Sequence, residues 1–409
     1  GERGLFVSEA PALPSPLPSP LPAPLRVLVV TSQLPPDIGG TSVHAAEIAR
    51  GLVEQGHQVT VVIRDRDPQE FEALGLDVRG IDTKTGLLKP LRLRRAQNEV
   101  LALIEELGIQ VVFFSYTVVG FGDLYGRLKG AGVPFAVGLH GINQRDLDTE
   151  QAMKRRRRKW GLEHAERAIA CTKWLAHKVA PLVEPAMGRP ADVVYLGIDP
   201  EIERQATPEA VAKVRADHGL EGKLVLLCLG RFAPRKNFDQ IIRLLPRLAE
   251  RYADLVLLLV GGGKEEAAWK SLADELGVSE RVIWAGRCGP LEVGAYYKAA
   301  DLFVTVSKTR ADDDSYETFG LVYAEANLCG TAVIGGTDGG VPDAVAHGET
   351  GLLVDADDEE GIYAALDELL GDEARREEMA AAGRERVLTL FTWERAARET
   401  AAILHEIAR

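Results

Sequence analysis

The chain is 409 residues long, 46% hydrophobic and 27% charged, too long for one ordinary domain and apolar enough to bury sizeable cores, so disorder is not the default and two or three domains are the natural count. Its net charge of -13 is uneven: residues 1–200 carry 24 Lys and Arg against 23 Asp and Glu, the remainder 24 against 38. Such a division suggests two domains with different partners, and the lack of a dominant basic face argues against nucleic acid as the main ligand.

Residues 10–25 (APALPSPLPSPLPAPL) alternate proline with small or apolar residues, which favours extended polyproline geometry, so 1–25 reads as a tail or linker. No basic region followed by an apolar core opens the chain, and no apolar stretch approaches the roughly 18 residues that span a bilayer. A cytoplasmic protein is expected. From Arg26 onward strands and helices alternate. RVLVV (26–30) is a continuous β-branched run, and residues 41–55 then read as a helix. QVTVVI (58–63), VVFFSY (111–116), PFAVGLH (134–140) and DVVYL (192–196) are further strand candidates. Continuous apolar runs with helical crossovers indicate parallel strands buried on both faces.

The pattern restarts after residue 200. KLVLLCLG (223–230), DLVLLLVGGG (254–263), RVIWAG (281–286), DLFVTVS (301–307) and TAVIGG (331–336) form a second series, each run followed by a plausible helix. The class is therefore α/β, with two doubly wound Rossmann-like domains: 26–198 at the N-terminal side and 199–390 at the C-terminal side. Residues 391–409 form an amphipathic helix able to pack on either domain, the N-terminal one being expected. Ligands of such sheets bind at the carboxyl ends of the strands, so a cleft between facing domains is the expected site. Cys171, Cys228, Cys288 and Cys329 share no metal-ligand or redox spacing and read as reduced thiols.

Three clusters fall in strand-to-helix loops. Gly39 and Gly40 precede the first helix, where bare backbone amides suit an anionic phosphate. Their order is not G-x-G-x-x-G, and an ordinary tight turn accounts for them equally well. In GRFAPRKNFDQII (230–242), Arg231 and Lys236 are permanent cations at a strand exit, suited to the charge that builds on a departing nucleoside diphosphate; a solvated basic turn is the plainer account. In SYETFGLVYAEA (315–326), Glu317 and Glu325 lie eight apart, just over two helical turns, so both can address one side. Between them Phe319, Gly320 and Leu321 begin a helix whose free amides can hold phosphate oxygens. Acids at helix starts are common, being favoured by only about 0.3–1 kcal/mol.

Taken together, GRFAPRKN, LLLVGGG, RVIWAG followed by YYKAADLFVTVS, the Glu317/Glu325 pair and GGTDGGVPDAVAHGETGLLV resemble the retaining family-4 glycosyltransferases of the GT-B fold. The loop TRADDDSYETFGLVYAEA is similar to that of bacterial phosphatidylinositol mannosyltransferases. The resemblance runs from Arg26 to the C-terminus and implies a hexosyltransferase. Its donor would be a nucleotide sugar of the GDP-mannose or UDP-glucose type, and its acceptor a sugar or lipid-linked hydroxyl. It implies that Arg231 and Lys236 clamp the donor diphosphate and that Gly39 and Gly40 approach its phosphates. Glu317 would contact the hexose, with Phe319, Gly320 and Leu321 near the phosphate, and Glu325 would hold the ribose hydroxyls. His140, ending VGLH, matches the family histidine near the reacting carbon. The family's account is same-face displacement, with the leaving phosphate helping to deprotonate the acceptor. Asn237 departs from the glycine usual after the lysine, which puts the local turn in question but not the charge.

The run Asp312-Asp313-Asp314 contains an Asp-x-Asp, yet a solvated loop explains it better than a metal site, and no metal or other cofactor is expected. KRRRRKW (154–160) and KTGLLKPLRLRR (84–95) suggest a patch for anionic lipid or a phosphorylated acceptor, hence peripheral contact with the inner face of a membrane; a solvated face is an equal reading. Two rival functions share the fold. A non-catalytic sugar-nucleotide binding module would be expected to have lost a phosphate cation or sugar-facing acid, and a sugar-nucleotide epimerase would need no acceptor.

Overall fold

A computed structural model describes residues 23–37, 40–83, 89–116, 121, 123–140, 161–290, 292–309 and 315–408. The described residues divide into two compact units: one comprises those from 23 to Gly197 together with Thr392 onward, the other those of Ile198–Phe391.

In the N-terminal unit, strands β1 (Arg26–Thr31), β2 (Gln58–Arg64), β3 (Asp77–Ile81), β4 (Val111–Phe114), β5 (Phe135–Leu139), β6 (Arg167–Ala170) and β7 (Asp192–Val193) form one parallel sheet. Their order is β3-β2-β1-β4-β5-β6-β7. Successive strand residues point to opposite faces. Leu28 and Val30 accordingly enter one core with Val112 and Phe114, while Val27 and Val29 enter another with Val111 and Phe113. Both faces are covered, which is why the strands read as unbroken apolar runs rather than alternating ones. The second core is completed by the C-terminal helix Trp393–Ile407, whose Ala396, Ala397, Ala401 and Leu404 are buried. This helix lies against helix Gly40–Glu54, so closely that a Cβ on Gly51 would stand 2.4 Å from that of Ala397.

The C-terminal unit repeats the plan. β8 (Leu224–Arg231), β9 (Leu255–Gly262), β10 (Val282–Gly286), β11 (Leu302–Thr305), β12 (Val333–Gly336) and β13 (Leu352–Val354) make a parallel sheet ordered β10-β9-β8-β11-β12-β13. In each sheet the strand order reverses once, between β1 and β4 and between β8 and β11. At these switch points the loops diverge to opposite faces and leave a crevice outside the strand ends, the place where such folds bind ligands. Among the described residues no helix is long and apolar enough to cross a membrane. Residues 154–160 and 84–88 of the two basic segments lie outside the described residues. Helix Lys89–Leu107 begins in the second of these, and its Leu91 is 66% exposed.

Candidate active site

The C-terminal unit gathers its charged groups at the β8/β11 switch point. β8 ends in exposed Arg231. The chain then makes a 3-10 turn over Pro234–Lys236 and passes into helix Phe238–Arg251 through Asn237. Asn237 has φ 55° and ψ 31°, a left-handed conformation that glycine adopts freely and that asparagine tolerates better than other L residues. The departure from the family glycine therefore leaves the turn intact. Asn237→Gly should change stability by no more than about 1 kcal/mol. Asn237→Val, β-branched, should lose about 1–2 kcal/mol. Denaturant unfolding of the two variants checks both figures.

The turn delivers two cations onto one carboxylate. Lys236 Nζ lies 2.6 Å, and Arg235 Nη1 2.9 Å, from Oε2 of Glu317. Burial alone would raise the Glu317 carboxyl, but the Lys236 and Arg235 charges and their hydrogen bonds outweigh it and hold the group below the usual carboxylate range. Lys236 is 5% exposed, so the pair is largely withdrawn from water. The Glu317 backbone is fixed from behind, Gly340 N donating to its carbonyl at 2.8 Å. A Cβ on Gly339 would come within 2.3 Å of that same oxygen, so glycine is required there.

Glu317 is not part of the helix that carries Glu325. Gly320 has φ 89°, a left-handed break at which helix Leu321–Leu328 begins, so the eight-residue spacing is not a helical repeat. The two acids are placed by a turn and a helix separately. Glu325 is half-buried and accepts a hydrogen bond from Tyr297 Oη at 2.8 Å through Oε2. Burial raises its carboxyl, and the Tyr297 bond and the Lys236 charge only partly oppose that. Phe319 turns its ring into the core against Phe391, with centroids 5.1 Å apart, so only its backbone can meet a ligand. The half-buried Leu321 opens the helix, where first-turn amides have no intrahelical partner.

In the N-terminal unit, His140 follows β5 and its Nε2 lies 2.8 Å from the carbonyl oxygen of Ser115, which follows β4. A carbonyl only accepts, so Nε2 carries the proton and Nδ1 of the neutral ring is an acceptor. Burial lowers the His140 imidazole to about 4, the Ser115 hydrogen bond opposing it. The closeness of the two strand ends requires Gly138, whose Cβ would stand 2.3 Å from the Ser115 oxygen. His44, on helix Gly40–Glu54, packs edge-on against His140 with ring centroids 4.1 Å apart. Burial, and secondarily His140, push it well below the ordinary imidazole value. Gly40 opens that helix and is exposed, while Gly39 lies outside the described residues.

Thus Lys236 and Glu317 are brought into contact, and Arg231 stands at the same strand exit. The sequence reading missed Arg235, Tyr297 and His44. Each sits beside a residue it did single out or in a segment it quoted, but residue type alone does not tell which neighbour turns inward. Among the described residues no group of three or more His, Cys, Asp or Glu side chains could hold a metal ion. Asp312-Asp313-Asp314 lies outside them.

Residues 211–386 match the family described as glycosyl transferases group 1, and residues 38–202 match glycosyltransferase family 4. The chain is a glycosyltransferase. It belongs to the group 1 and family 4 enzymes of the GT-B fold. It is 29% identical over 373 residues to the GDP-mannose-dependent alpha-(1-6)-phosphatidylinositol monomannoside mannosyltransferase of Mycolicibacterium smegmatis, covering 90% of this chain and 95% of that one. It is likewise 29% identical over 426 residues to the D-inositol 3-phosphate glycosyltransferase of Kribbella flavida, with 97% of each chain covered. Anabaena Alr3699/HepE, solved in complex with UDP, shares the glycosyltransferase's fold with a TM-score of 0.73 at 19% identity, over 93% of this chain and 100% of that one.

Proposed function

We propose that this glycosyltransferase takes a nucleoside-diphosphate hexose as donor, GDP-mannose foremost. It would transfer the hexose, with retention and without a metal, to a hydroxyl of a glycolipid or polyol acceptor. The observation that carries the reading is the convergence of Lys236 and Arg235 on Glu317 at the β8/β11 switch point. Cations and a hydroxyl-accepting carboxylate side by side suit a sugar diphosphate, which is anionic at one end and polyhydroxyl at the other. The preference for GDP-mannose comes from the mannosyltransferase relatives, whose names specify that donor.

In this assignment Arg231, Lys236 and the amides of Gly320 and Leu321 hold the diphosphate, as do the backbone amides of Gly39 and Gly40. Glu317 Oε1 accepts from a hexose hydroxyl and Glu325 Oε1 from the ribose. His140 uses its Nδ1 lone pair to accept a hydroxyl near the reacting carbon. As the glycosidic bond breaks, negative charge accumulates on the leaving phosphate, and the fixed cations stabilise it without reorganising. The phosphate oxygen takes the acceptor proton on the same face, so no enzyme nucleophile is needed.

A thermal-shift series with GDP, UDP, ADP and their hexose conjugates, with EDTA present, tests the assignment. GDP and GDP-mannose at 100 times their dissociation constants should stabilise the fold by about 2.7 kcal/mol. A folded protein indifferent to every nucleotide would overturn the donor site, and an inverted anomer in the product would overturn retention.

A further inference from the structure

The two cations adjoining Asn237 are not equivalent. Lys236 has 6% of its side chain exposed and Arg235 has 27%, yet both reach the same oxygen of Glu317, itself 18% exposed. Oε1 has no hydrogen-bond partner among the described residues, so the second cation is not there to satisfy a second oxygen. Placing two positive charges within reach of one carboxylate oxygen costs mutual repulsion, and the cluster keeps a net charge of +1. The arrangement is held firmly: the Arg235 carbonyl accepts from Lys308 N at 2.8 Å, tying the segment after β8 to that after β11.

A lysine already paired with a carboxylate is neutralised. To give a phosphate its full charge it must loosen that contact, and a half-buried carboxylate abandoned by its only cation is strongly disfavoured. A second cation on the same oxygen removes the difficulty. We propose that Arg235 is a positioning residue: the standing counter-ion that keeps Glu317 ionised and oriented while Lys236 exchanges the carboxylate for a donor phosphate. The inference rests on the donor-site reading above. Arg235 suits the part because its guanidinium stays charged and offers several N–H groups, so it can remain on Glu317 as the lysine turns away. Without it Lys236 would stay with Glu317, or the carboxylate would take up a proton as the lysine left. Burial pushes the Glu317 carboxyl upward and the two cations hold it down, so loss of both would leave burial unopposed and favour the protonated form.

Isothermal titration of the full chain with GDP, and separately UDP, near pH 6 in two buffers of different ionisation enthalpy reads affinity and proton uptake together. The parent and Arg235→Lys should bind without proton uptake. Arg235→Gln should bind about tenfold more weakly, the effect of losing a charged hydrogen bond, and take up a fraction of a proton per nucleotide. In a Glu317→Gln background, where no charge needs a counter-ion, Arg235→Gln should cost less than about twofold. That double variant buries no lone carboxylate, so it also serves if the single variant fails to fold. Equal losses in both backgrounds, or unchanged affinity and no proton uptake in Arg235→Gln, would overturn the proposal. Failure of the parent to bind either nucleotide would instead overturn the donor-site reading, whatever the variants did.

Discussion

Lys236→Ala is expected to lower kcat/KM with the nucleotide-sugar donor by about 10²–10³, the cost of removing one preorganised donor from a site of developing negative charge. The lysine is the most deeply placed cation of the cluster, and its ammonium is anchored on Glu317. Two effects add on truncation. The leaving phosphate loses a cation in a partly water-excluded position, where charge counts for more than in bulk solvent. Glu317 is left to Arg235 alone, which should cost about 1–3 kcal/mol of stability. Lys236→Arg is not conservative, because a planar fork cannot occupy the volume of a compact ammonium under a tight 3-10 turn. Steady-state kinetics on folded variants decide the matter: a rate within a few-fold of the parent would remove Lys236 from the role.

The part of this site that could be read from sequence is the part that depends on residue type at a strand exit. GRFAPRKN follows an unbroken apolar run, and β8 does end at Arg231 with the two cations in the next turn. β1, β2, β4, β5, β8, β9, β11 and β12 were legible because strands buried on both faces show as continuous apolar segments, and the half-buried edge strand β10 because VIWAG still carries an apolar run. β3 was not, because this edge strand is largely exposed and its DVRGI carries no such run. β6 is RAIA, half alanine with little to mark it as a strand, and β13 has only three residues. DVVYL shrank to the two residues Asp192–Val193, at the opposite edge of the sheet.

Pairing was the information missing from the sequence. The Glu317/Glu325 spacing suggested one helical face, whereas the left-handed Gly320 puts Glu317 ahead of the helix, where it meets cations rather than its fellow acid. Nothing in PRK distinguishes Arg235 from a solvated arginine until β11 brings Glu317 alongside. His44 falls within residues 41–55, which the sequence marks only as a helix. A histidine on an apolar helix face is usually a core residue, and the contact with His140 becomes visible only once β5 and the helix after β1 are packed.

Those histidines govern the last expected result, a loss of stability of the N-terminal unit on mild acidification. Burial lowers His140 to about 4 and His44 well below its ordinary value. His57 and His405, with ring centroids 5.3 Å apart, are both lowered as well, chiefly by burial. A group whose folded pKa is depressed binds fewer protons folded than unfolded. Its contribution is complete above the unfolded value near 6.5 and is lost as pH falls toward the folded one. For His140 the window runs from 6.5 down to about 4. Each strongly depressed imidazole should therefore remove on the order of 2 kcal/mol between pH 6.5 and 5. In the C-terminal unit Glu317, held low by its cations, begins to cost stability only below the usual carboxylate range, and Glu325, raised by burial, acts in the opposite sense. Hydrogen exchange at pH 5 should then open peptides of the helices Gly40–Glu54 and Trp393–Ile407 well before those of β8 and β9. His44→Phe, which keeps a ring beside Phe113 and Trp393 but cannot titrate, should flatten the pH dependence by close to one proton. Equal opening of both units on acidification, or an unaltered slope in His44→Phe, would show that the buried imidazoles are not its source.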